Sequence, residues 1–148
     1  MTREEFIKEL DREGYSYKIE GDKLVVTYDN TVQLPSLKTL PPGVEFKNEG
    51  NVYLYSLETI PPGVEFKNGG GVFLPSLKTL PPGLEFKNGW YVDLSSLETL
   101  PPGVEFKNGG DVDLSSLVGG WFEDWKGNIK GIDSNRLLNL MISKGVFI

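Results

Sequence analysis

The chain has 148 residues, enough for one compact domain or one short repeat array. It contains no cysteine, which excludes a disulfide framework and thiolate chemistry, and no histidine, which excludes His-dependent triads, His-based acid–base catalysis and the H-E-x-x-H zinc site. The net charge of −6 is uneven, with an acidic excess over residues 91–125 and a basic one over 126–148, so a basic partner is favoured over nucleic acid.

The first residues are charged and no long apolar run comes after them, so neither a secretory signal nor a membrane span is expected. With cysteine absent as well, the expected compartment is the cytoplasm. Thr2 to Glu13 predicts a helix. Thr2 and Glu5 have the spacing of a capping box, Phe6, Ile7 and Leu10 form an apolar stripe, and Gly14 is the stop. Tyr15, Tyr17 and Ile19, then Leu24, Val26 and Tyr28, alternate around Gly21-Asp22, which predicts a hairpin. Residues 1–31 would thus form an N-terminal cap of helix and hairpin.

From Val32 onward the chain repeats itself. Units of twenty residues begin at Val32, Val52, Val72 and Val92, and a fifth begins at Val112 and breaks off after Leu117. A fixed period without insertions predicts that each unit is one coil of a solenoid stacked on the next. Within a unit, Val52, Leu54, Leu57, Ile60, Val64 and Phe66 are apolar at steps of two or three, the pattern of half-buried strands. Pro-Pro-Gly predicts one corner, of type II, because two residues without N–H groups cannot sit inside a ladder. Asn68-Gly69 predicts the second, with a positive φ. Stacking in register would pair Lys38, Glu58, Lys78 and Glu98 with alternating sign. The outward column Glu45, Glu65, Glu85, Glu105 would lie beside Lys47, Lys67, Lys87, Lys107.

The shared pattern V-x-L-x-S-L-x-T-L-P-P-G-V over Val32 to Leu117 resembles a short leucine-rich repeat, whose pattern runs L-x-L-x-x-N-x-L-x-x-L-P-x-G. Units of that kind are familiar in bacterial and bacteriophage proteins. The units here are two residues shorter, and Ser36, Ser56, Ser76, Ser96 and Ser116 stand near the place of the family's Asn. A hydroxyl ladder is therefore expected in place of an amide one. The resemblance implies a mainly β, leucine-rich-repeat-like solenoid of four to five coils over residues 32–117, with strand positions that line a partner-binding surface.

Residues 118–148 would close the other end. Gly119-Gly120 replaces the proline corner, Trp121, Phe122 and Trp125 suit lids over the last coil, and Ser134 to about Ser143 predicts a C-terminal helix. The expected whole is one cooperative unit with a helix at each end.

No phosphate-loop or dinucleotide fingerprint is present. Gly109-Gly110-Asp111-Val112-Asp113 matches only a fragment of a calcium-binding repeat, and the period of twenty argues against it. Carboxylate catalysis would need two acids set apart in a cleft. Neither a cofactor nor an enzymatic activity is expected.

The informative signal is variation at outward strand positions, which the fold leaves free. Tyr53, Tyr55, Phe73 and Tyr91 should share one face, with Trp90 at its edge and Asp93, Asp111 and Asp113 beside it. Exposed Tyr, Phe and Trp are enriched at protein interfaces. The expectation is a non-enzymatic module that binds a protein with a basic rim. The alternatives are a small phage-type inhibitor of a host defence or regulatory protein acting by acidic mimicry, sequestration of a small ligand, self-association, and cross-strand packing alone.

Overall fold

The computed structural model describes residues 1–101 and 103–117. The chain opens with helix α1 (Arg3–Glu13), started as its sequence predicts: Thr2 Oγ1 accepts from Glu5 N–H at 3.1 Å, and Glu5 Oε1 accepts from Thr2 N–H at 3.2 Å. Gly14, at φ 77°, ends it. Phe6 and Leu10 are fully buried and belong to the hydrophobic core.

Strands β1 (Tyr17–Glu20) and β2 (Lys23–Val26) form the antiparallel hairpin around Gly21. The expected inward alternation holds on β2 only in part. Leu24, Val25 and Val26 are all buried, while Ile19 on β1 is 53% exposed. The reason is topological: β2 lies between β1 and the first coil, whereas β1 is the outermost strand.

The repeats form a β-solenoid of about four turns, each coil of about twenty residues giving one short strand to each of two parallel sheets. The first sheet continues from β2 through β4 (Val44–Phe46), β6 (Glu65–Phe66), β8 (Glu85–Phe86) and β10 (Glu105–Phe106). The second runs through β3 (Val32–Gln33), β5 (Val52–Tyr53), β7 (Val72–Phe73), β9 (Val92–Asp93) and β11 (Val112–Asp113). Register is strict, with Val52 opposite Val72 and Val72 opposite Val92. Each apolar position therefore becomes a column of like side chains between the sheets. Phe46, Phe66, Phe86 and Phe106 are fully buried and stack at 5.4–5.5 Å with nearly parallel rings.

The two corners work differently. At Pro-Pro-Gly, Gly43, Gly63, Gly83 and Gly103 have φ of 78–87°, the type II geometry the sequence predicts. At the second corner the expected positive φ is absent. Gly69 is required by closeness instead, since a Cβ there would stand 2.4 Å from Glu49 O of the coil before.

The expected hydroxyl ladder is also replaced. Of the five serines, Ser76 Oγ donates to Tyr55 O, but the repeated side-chain bonds come from asparagine at the second corner. Asn68 Nδ2 donates to Gly50 O and Gly71 O at 3.1 and 3.0 Å, and Asn48, Asn88 and Asn108 do the equivalent. The corner turns several carbonyls inward, and a buried amide nitrogen is what can satisfy them.

The charge columns form in part as predicted. Lys38 and Lys78 pair with Glu58 and Glu98 at 3.7 and 3.9 Å. In the other column Lys67 Nζ lies 2.8 Å from both Glu45 and Glu65, and Lys107 Nζ lies 2.8 Å from Glu105. Glu45 departs from its expected outward place and is 3% exposed, because β2 flanks it and Lys23 reaches over it to Glu65. The expected C-terminal helix and the aromatic residues Trp121, Phe122 and Trp125 lie outside the described residues.

Candidate functional site

The outer face of the second sheet gathers the variable residues. In-register pairing sets Gln33, Tyr53, Phe73, Asp93 and Asp113 in one column, one residue per coil. The column changes character along the solenoid axis, from amide through aromatic to carboxylate.

The rings are continuous. Tyr53 and Phe73 stack at 4.6 Å, Tyr55 packs on Tyr53 at 5.3 Å, Phe73 meets Tyr91 at 5.8 Å and Tyr91 meets Trp90 at 5.9 Å. Such pairs stabilise the sheet by about 1 kcal/mol each beyond burial, so part of this order is structural. Stacking does not hide the face, however: Trp90 and Tyr55 remain 55% and 46% exposed.

Backbone and amide contacts hold the rings in place. Asn51 Oδ1 accepts from Gly71 N–H at 2.7 Å while its Nδ2 donates to the Tyr53 hydroxyl at 3.0 Å, tying one ring to the next coil. The carbonyl of Tyr91 accepts from Asn88, and that of Trp90 from Asn108, so the asparagine ladder also fixes the edge of the face. Gly71 leaves room for two rings, since a Cβ there would stand 2.7 Å from Phe73 and 3.3 Å from Trp90.

At the acidic end, the Tyr91 hydroxyl lies 3.4 Å from Asp113 Oδ2. Burial, then the charges of Asp113, Asp93 and Asp111, pushes its pKa above the ordinary tyrosine value. Asp93 and Asp113 each also accept a backbone bond from the serine two residues on, at 2.9 and 3.0 Å, which holds their carboxylates close to the sheet.

All eight residues singled out from the sequence are thus brought to one face: Tyr53, Tyr55, Phe73, Trp90, Tyr91, Asp93, Asp111 and Asp113. Sequence reasoning missed the two that hold it, Asn51 and Gly71. The third glycine in Gly69-Gly70-Gly71, where other units have a side chain, was the available signal.

A crevice of about 190 Å³ opens elsewhere, where Val64, Pro82 and Leu84 meet at the Pro-Pro-Gly corner of the first sheet, and none of the eight residues lines it. Among the described residues, no three His, Cys, Asp or Glu side chains are grouped to hold a metal ion, and no helix is long and apolar enough to cross a membrane. No protein-family model, curated protein or solved structure matches the chain.

Proposed function

We propose that the chain is a non-enzymatic protein-binding module, and that its partner meets the aromatic and acidic face of the second sheet. The observation that supports this reading most is the unbroken run of rings from Tyr55 to Trp90, partly exposed at both ends and built from outward positions that the repeat leaves free to vary. Exposed aromatic patches of this kind are what partner-binding surfaces concentrate. The adjoining carboxylates would favour a partner whose rim carries Lys or Arg.

The likeness to the short leucine-rich repeats of bacterial and bacteriophage proteins supports the same face, since strand positions line the partner surface in that family. The test is the triple substitution Tyr53→Ala, Phe73→Ala, Tyr91→Ala. Affinity capture and subsequent mass spectrometry should yield a partner with the parent chain and lose it with the variant, while the circular dichroism of the two agrees. Equal capture by both would retire the reading.

A further inference from the structure

We propose that the occupant of this face is a proline-rich segment in the polyproline II conformation, carrying an arginine three residues from an apolar anchor. The inference rests on the reading of that face as the binding surface and adds the chemistry of what binds.

Three observations point to this occupant. First, the interior strands of the second sheet have no backbone groups to offer. Val52 N–H donates to Gly71 O, Leu54 N–H to Phe73 O and Val72 N–H to Tyr91 O, all at 2.8–3.0 Å, so the ladder is used up between coils. A ligand strand could not add to it in mid-sheet, and recognition must run through side chains. Polyproline II segments have no internal hydrogen bonds and few donors to satisfy, and they dock on aromatic-lined surfaces through side-chain contact.

Second, the pitch agrees. Equivalent residues on adjacent coils are about 4.8 Å apart, so two coils span about 9.6 Å. One turn of polyproline II, three residues at about 3.1 Å each, spans about 9.3 Å and returns side chains to the same side. A segment lying along the solenoid axis therefore presents residues i and i+3 to sites two coils apart.

Third, those sites differ in character. Tyr53 and Phe73 form an apolar seat on two adjacent coils, and Asp93 and Asp113 occupy the same column on the next two. Tyr91, whose hydroxyl lies 3.4 Å from Asp113 Oδ2, sets a π system beside the acidic pair, and the exposed Trp90 packs on it. A guanidinium seated there gains both a carboxylate and a cation–π partner.

The test measures fluorescence polarisation of labelled peptides on the full chain. One peptide is proline-rich with Leu and, three residues on, Arg. The others change Arg to Glu, move it to five residues on, or replace the prolines by Gly and Ser. The parent should bind the first peptide at least tenfold more tightly than each of the others. Tyr53→Ala with Phe73→Ala should abolish binding. Asp93→Asn with Asp113→Asn, which leaves the rings intact, should erase only the preference for Arg. Indifference to proline or to the Arg position would overturn the inference. An unbiased displayed-peptide selection separates this from the underlying reading. Selected peptides of another chemistry that depend on the rings overturn the polyproline occupant alone, and selection of none that depend on the rings overturns both.

Discussion

The Tyr15 hydroxyl closes the β3 edge of the second sheet by bonding both backbone groups of Gln33. It accepts from Gln33 N–H at 3.0 Å and donates to Gln33 C=O at 3.2 Å. Val32 and Leu34 donate in the other direction, to the next coil. One phenol thereby stands in for a missing strand, and an edge that could template pairing is blocked. Tyr15→Phe keeps the ring packing against Tyr28 and removes only these bonds. It should cost about 1 kcal/mol in urea denaturation and make sedimentation depend on protein concentration. A variant that stays as monomeric as the parent would show that other groups guard the edge.

Asn68 is almost fully buried and its amide nitrogen serves two carbonyls. Asn68→Ala strands both and should cost about 2–4 kcal/mol. Asn68→Asp should cost more at neutral pH, because a carboxylate would face the same carbonyls in a buried place. Urea midpoints of the two variants give the order directly.

Acid should weaken the solenoid through Glu65. Lys67 first and Lys23 second hold its carboxyl down from 4.5 to about 2. A depressed folded-state value means this stabilisation is complete above about pH 4.5 and is lost as pH falls towards 2. Solvent reaches a third of the side chain, so the effect falls well short of the full shift. Glu65→Gln should flatten the fall in urea midpoint between about pH 5 and about pH 3, and 1 M salt should flatten it in the parent.

The two kinds of corner glycine predict unequal costs. Gly63 has positive φ, and a Cβ there would meet only Gly43 N at 3.8 Å, an ordinary contact, so Gly63→Ala should cost about 1 kcal/mol of backbone strain. Gly69 has ordinary φ, but its Cβ would strike Glu49 O. Relief there needs the coils to part, and Gly69→Ala should lower the melting temperature further than Gly63→Ala does.

Periodicity made most of this fold legible. The twenty-residue spacing, the Pro-Pro-Gly corner and the charges at Lys38 and Glu58 each report a relation that repeats, and repetition averages out local ambiguity. The misreadings fall where a single side chain does something composition does not encode. Asn68 looked like a turn former and proved to be a buried donor. Glu45 looked outward and is buried by the hairpin strand beside it. The members of the candidate site were legible because strict register puts variable positions in one column. Its supports, Asn51 and Gly71, were not, because their role depends on contacts between coils rather than on position within one.

In the function proposed above, the variable face, and not the repeated scaffold, meets the partner. The most direct measurement compares partner capture by two variants, each shown by circular dichroism to be folded at the assay temperature: Tyr53→Ala with Phe73→Ala on the aromatic face, and Glu58→Ala with Lys78→Ala in the scaffold's charge column. Binding through the aromatic face means that the first loses capture and the second keeps it. Capture retained by the first, or lost by the second alone, would contradict it.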